Sequence, residues 1–146
     1  MKIRSSYYIL FNSEAKFIPM SKLILIDDDV IYHKIAQIML KEYSPVKEVI
    51  SSLDGKATLE YLKENRSNEE NLPDYIFVDL NMPDYNGWDF LNAYKRIRKS
   101  LQKVIRIYIV SSSIDPNDIK RSKNYTFVHS FIVKPLRREF LQALID

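Results

Sequence analysis

Apolar residues arrive along this chain in two rhythms that take turns. Leu23-Ile24-Leu25-Ile26 and Tyr75-Ile76-Phe77-Val78 are unbroken apolar runs, and residues 46–51, 104–110 and Phe131-Ile132-Val133 have the same strand character. Runs without polar alternation suit strands covered on both faces, the condition of an inner parallel sheet. Between them apolar residues recur at helical spacing: Ile31, Ile35, Ile38 and Met39; Leu59 and Leu62; Phe90, Leu91, Tyr94, Ile97 and Leu101; Leu136, Phe140, Leu141 and Leu144. A further short helix is predicted from Asp115-Pro116, a cap followed by a proline suited to the first helical position, to about Lys123. Five strands alternating with five helices imply an α/β fold, a parallel sheet with right-handed crossovers on both faces. Spacing leaves the strand order open.

In the first helix Ile31, Ile35, Ile38 and Met39 are expected to supply the apolar face. Asp54 is the expected cap of the second, with Leu59 and Leu62 inward and Lys56, Glu60 and Lys63 in water. Residues 65–73 are a polar, acidic connection, expected to be mobile. Residues 1–19 are patterned differently, with a five-residue apolar run, Tyr7-Tyr8-Ile9-Leu10-Phe11, too short for a secretory core. They are expected to be an extension, either an added strand or a helix, before a domain covering 21–146. Met20, directly before the patterned region, is the expected physiological start.

The strand ends carry the chemistry. Leu23 to Ile26 runs into Asp27-Asp28-Asp29, the Tyr75 strand into Asp79, the strand 104–110 into Ser111-Ser112-Ser113, and the last strand into Lys134-Pro135. Parallel strands put their carboxyl ends on one edge, where open α/β sheets bind ligands, so Asp27, Asp28, Asp79, Ser111 and Lys134 are expected to converge. Grouped carboxylates repel and call for a cation. With no cysteine and two histidines in 146 residues, a hard divalent ion such as Mg2+ is the expected one, bound through oxygens. Carboxylates, a lysine and a hydroxyl beside Mg2+ form a site for phosphoryl transfer. Asp79, the lone acid on its strand, is the nucleophile candidate, and Asp27 and Asp28 are the metal holders.

These pieces in this order, Leu-Ile-Leu-Ile-Asp27-Asp28-Asp29, Asp79-Leu-Asn-Met-Pro83 with Gly87, Ile-Val-Ser111-Ser-Ser and Phe131-Ile-Val-Lys134-Pro135, resemble a response-regulator receiver domain of the CheY-like type over residues 21–146. The resemblance implies a flavodoxin-like (βα)5 three-layer sandwich with sheet order 2-1-3-4-5. It implies a stand-alone phospho-acceptor switch rather than a classical enzyme, phosphorylated on Asp79 by a sensor histidine kinase or histidine phosphotransfer protein. Mg2+ would be held by Asp28 and Asp79, by the backbone carbonyl of Asn81, and by Asp27 largely through water. Ser111 and Phe131 fall at the switch positions, Asn81 and Ser113 at positions that tune phosphoryl lifetime, and the Lys134-Pro135 bond would be cis. Serine and phenylalanine stand where threonine and tyrosine are commoner. A haloacid-dehalogenase-like phosphatase is the alternative enzyme, but Asn81 stands where its second aspartate is required. A degenerate, phosphorylation-independent scaffold is the third reading.

The composition, 46% apolar and 28% charged with no apolar run near the length of a membrane span, argues for a soluble globular protein, and the absence of cysteine is compatible with the expected cytoplasmic location. A net charge of +3 is concentrated in Lys95, Arg96, Arg98, Lys99, Lys103 and Arg106, read first as a solvated helix end. No base-reading helix or stacking platform accompanies it, so direct nucleic-acid binding is not expected. Lys120, Arg121, Lys123, Arg137 and Arg138 make the late face basic, which favours a downstream protein partner with an acidic docking surface; a homodimer on phosphorylation is a further possibility. His33 is read as a surface or packing residue and Trp88 as packing.

Overall fold

The computed structural model describes residues 6–11, 14–19 and 21–144. Strands β1 (Ser6–Phe11) and β2 (Glu14–Pro19) pair antiparallel in register from Ser6↔Pro19 to Phe11↔Glu14. These two strands form a sheet of their own, which is neither a single added strand nor a helix; Met20 lies outside the described residues.

The remaining elements alternate as expected: β3 (Lys22–Ile26), α1 (Val30–Tyr43), β4 (Glu48–Ser52), α2 (Gly55–Glu64), β5 (Tyr75–Val78), α3 (Gly87–Ile97), β6 (Arg106–Ser111), α4 (Pro116–Ser122), β7 (Val128–Val133) and α5 (Arg138–Gln142). The five later strands form one parallel sheet ordered β4-β3-β5-β6-β7, the 2-1-3-4-5 order of a flavodoxin-like sandwich. Alternate residues of the inner strands feed opposite layers. Ile24, Ile26, Ile76, Val78, Ile107 and Ile109 pack with Leu59 and Leu62 of α2 and Phe90, Leu91 and Tyr94 of α3. Leu23, Leu25, Phe77, Tyr108 and Val110 pack with Ala36 and Leu40 of α1 and Leu141 of α5. Burial on both faces is why β3 and β5 read as unbroken apolar runs.

Helix α1 corrects the sequence reading. Ile31, Ile35 and Ile38 are 70%, 53% and 65% exposed, while His33, Ala36 and Leu40 are buried. The Asp29 carboxylate accepts from the amides of Ile31 and Tyr32, as an N-cap should, and so fixes the phase of the helix. That phase turns small Ala36 to the sheet, where a close approach is possible, and lets His33 Nε2 lie 2.6 Å from the Asp27 carbonyl oxygen. The isoleucines are left outside.

Three smaller differences have simple causes. Leu101 is buried but follows a short 3₁₀ turn, Arg98–Ser100, instead of extending α3. Strand β7 starts at Val128, before the apolar run that announced it. The 65–73 connection is tied down: Lys22 Nζ donates to the Glu70 carbonyl and Lys103 Nζ to the carbonyls of Glu69 and Leu72. Tyr61 Oη donates to the Asn71 carbonyl in the same segment. Lys103 also pairs with Asp74 at 3.0 Å, and Arg98 lies over the Phe127 ring, so two cations of the Lys95–Arg106 cluster serve the scaffold.

Candidate phosphoryl-acceptor and metal site

Ladder hydrogen bonds continue one residue beyond the strands and carry the acids to the carboxyl edge. The Asp27 amide donates to the Ser52 carbonyl and the Asp79 amide to the Ile26 carbonyl, both at 3.0 Å; the Lys134 amide donates to Ser111 at 2.8 Å. Asp27, Asp28 and Asp79 each offer an oxygen within 4.8 Å of the others, with Asp28 exposed and Asp27 and Asp79 buried. Ser111 is fully buried at the end of β6, and Asn81 is exposed. The five side chains expected to meet therefore do meet.

Lys134 enters from the β7 side, its Nζ donating to Asp27 Oδ2 at 2.7 Å and standing 3.6 Å from Asp79 Oδ2. The other Asp27 oxygen accepts from the Asp29 amide at 2.9 Å. Asp79 Oδ1 accepts a longer bond, 3.4 Å, from the Asn81 amide, and the buried Ser111 hydroxyl acts on the Asp79 carboxyl to lower it. Asn81 Nδ2 and the Ser113 amide both point at Ser111 Oγ. Burial raises the Asp79 carboxyl above its ordinary value; Lys134 opposes this, Asp27 adds to it, and the Asn81 amide and the Ser111 hydroxyl lower it. The three-carboxylate donor set fits a hard divalent cation, with Asp28 and Asp79 less engaged than Asp27. The Lys134-Pro135 bond is cis.

Gly87, grouped with the Asp79 segment in the sequence, has a steric role. A Cβ there would lie 2.4 Å from the Asp79 carbonyl oxygen and 2.8 Å from Leu80 Cα, so only glycine lets α3 start against the Asp79 strand. An Asn86–Asp89 capping box secures that start. His33 belongs to the site's support through the Asp27 carbonyl. Tyr32 was missed: its ring lies 3.9 Å from Lys134 Nζ, and its hydroxyl is raised above the ordinary tyrosine value by burial and by the charges of Asp27 and Asp79. No local signal marks it, since its partner lies over a hundred positions away. Phe131, the second switch candidate, is half-buried against the α2/α3 layer.

The response regulator receiver domain model matches residues 23–146. The chain belongs to that family. A two-component response regulator from Cytophaga hutchinsonii superposes with a TM-score of 0.77 at 28% identity, covering 86% of this chain and 93% of that one. The phosphorylated cyanobacterial phytochrome response regulator RcpA matches with a TM-score of 0.68 at 27% identity, over 86% and 88% of the two chains. The two-component response regulator ORR1 of Oryza sativa subsp. japonica is 29% identical over 126 residues, 85% of this chain and 53% of that protein. This receiver chain spans about half the length of the first curated relatives it matches. No helix among its described residues is long and apolar enough to cross a membrane.

Proposed function

We propose that this receiver accepts a phosphoryl group on Asp79 from a histidine kinase or phosphotransfer protein and uses it to change the surface it offers a protein partner. The observation that carries the reading is the meeting of Asp27, Asp28 and Asp79 with Lys134 at one sheet edge. An Asp79 oxygen forms a bond to the donor's phosphorus while the bond from phosphorus to the donor nitrogen breaks, and the imidazole leaves with that electron pair. Mg2+, held by Asp28, Asp79 and the Asn81 carbonyl, with Asp27 acting largely through water, would neutralise charge on the phosphoryl oxygens. Lys134 supplies a fixed positive charge to another oxygen, and the Ser111 hydroxyl donates to a third. Asn81 brings an amide in place of a second acid and points it at Ser111, which weighs against phosphomonoesterase chemistry.

The switch reading rests on Ser111 and Phe131 lying on neighbouring strands β6 and β7. Helix α4, downstream of Ser111, buries Ser122 and no other of its seven residues, so few contacts oppose a shift. Its neighbouring cations Lys120, Lys123 and Arg137 face solvent and suit an acidic partner surface. Arg121 and Arg138 are already laid over Trp88 and Tyr43. The functional unit is residues 21–146, and the mass of the native N-terminus decides whether Met20 begins it.

Incubation with Mg2+ and acetyl phosphate should add one phosphoryl mass, lost in Asp79→Asn. Wild-type protein that takes no label from any donor would overturn the reading. A pull-down comparing beryllofluoride-treated with untreated protein identifies the partner.

A further inference from the structure

Tyr32 stands in the first turn of α1, beyond the Asp29 cap, with Lys134 Nζ 3.9 Å from its ring centroid. Lys134 is therefore bounded on three sides, by Asp27 at 2.7 Å, by Asp79 at 3.6 Å and by this ring. The ring face attracts an ammonium without taking one of its N–H donors, and it keeps water from that side. A lysine stem with many rotamers is thus confined to the slot between the two acids, a short swing from any oxygen bound at Asp79.

The hydroxyl is a second, independent observation. Tyr32 Oη is buried and has no hydrogen-bond partner. Phenylalanine would fill the same space without stranding a polar group, and a stranded hydroxyl is unfavourable until something satisfies it. The ring that carries it lies against Lys134, which pairs with Asp27 and stands beside Asp79, the groups of the acceptor site.

We propose that Tyr32 is a positioning residue of this site: its ring holds Lys134 between Asp27 and Asp79, and its hydroxyl donates to the oxygen shell that assembles around Asp79. The proposal rests on the phosphoryl-acceptor reading and adds to it a side chain from α1.

The test uses the full chain with Tyr32→Phe and Tyr32→Leu. In unphosphorylated protein, the Lys134 ε-methylene protons, assigned by comparison with Lys134→Arg, should be shifted upfield by the ring in wild type and Tyr32→Phe and return to ordinary values in Tyr32→Leu. The rate of phosphorylation by acetyl phosphate at saturating Mg2+, followed by intact mass, should fall about thirtyfold in Tyr32→Leu, about tenfold of it the scale of a partly desolvated cation–π contact and the rest the lost hydroxyl. In Tyr32→Phe the fall should be about threefold, the scale of one hydrogen bond. Thermal midpoints are recorded beside the rates: a merely structural Tyr32 would lower the midpoint and leave the rate of the folded fraction unchanged, which overturns the proposal. So does a Lys134 shift that survives in Tyr32→Leu. Tyr32→Phe at the wild-type rate overturns the hydroxyl's part. Wild type that takes no label refutes the Asp79 reading instead, and the Lys134 shifts still judge the ring.

Discussion

Lys134 is closer to Asp27 than to Asp79: its ammonium donates to Asp27 Oδ2 at 2.7 Å and stands 3.6 Å from Asp79 Oδ2. Asp27 is thereby committed, with its second oxygen on the Asp29 amide, whereas Asp79 keeps its lysine at a distance too long for a hydrogen bond. The division suits one acid that holds the site together and one that reacts. It also makes Lys134 a structural member, because Asp27 is 1% exposed and an unpaired carboxylate there has no water to turn to.

Lys134→Ala should therefore destabilise the metal-free protein by about 3 kcal/mol, the lower end for breaking a buried pair from one side. Urea unfolding in chelator measures this, and added Mg2+ should return part of the loss. A change within error would mean that Asp27 finds another partner.

Asp79 gives a pH dependence of opposite sense to an ordinary salt-bridged acid. Its folded value is raised, chiefly by burial, so the native state holds the proton more tightly than the unfolded chain does. The contribution to stability is fully present below the unfolded value and is lost as pH rises through the folded one. Without metal, Asp79→Asn should match wild type at low pH and exceed it at neutral pH, with the gap opening above the ordinary aspartate range. Thermal midpoints of both proteins in chelator from pH 3 to 8 test it; a gap that narrows with rising pH contradicts the assignment.

What could be read from the sequence were the features that a parallel sheet imposes. Asp27, Asp79, Ser111 and Lys134 could be brought together without coordinates because each follows an apolar run, and parallel runs end on one edge. Sheet order came from resemblance, since no residue spacing encodes it. Helix α1 misled because apolar residues occupy two faces, Ile31, Ile35 and Ile38 on one and Ala36 and Leu40 on the other. Periodicity identifies stripes, while the phase is set by contacts such as the Asp29 cap and the bond from His33 to the Asp27 carbonyl. The connection at 65–73 read as mobile because polar composition does not disclose that Lys22 and Lys103 will arrive to hold its carbonyls. Tyr32 and Lys134 meet only through the fold.

The α1 correction makes a direct prediction. Ile35→Ser should change stability by no more than about 0.5 kcal/mol, as a surface substitution does, because Ile35 is exposed on the outer face. Leu40→Ala, on the buried face, should cost about 2–5 kcal/mol through the cavity it leaves. Paired urea denaturation of the two variants separates the faces, and a larger loss from Ile35→Ser would return the isoleucines to the core.

The two glycines, Gly55 and Gly87, should respond oppositely to the same methyl group. At Gly87 a Cβ meets backbone, 2.4 Å from the Asp79 carbonyl oxygen and 2.8 Å from Leu80 Cα, and neither atom can move without shifting the strand that carries Asp79. Gly87→Ala should therefore cost about 3 kcal/mol, the upper end for overpacking, and slow phosphorylation from acetyl phosphate as the acid leaves its place. At Gly55 the nearest neighbour is the side-chain atom Tyr85 Cδ2 at 3.2 Å. That ring can yield by a few tenths of an ångström, and alanine favours a helix by up to about 1 kcal/mol over glycine. Gly55→Ala should be neutral or stabilising and should leave the phosphorylation rate unchanged. Unfolding curves and phosphorylation rates of both variants test the contrast; equal losses at the two positions would show that the close approach at Gly87 has no special hold on Asp79.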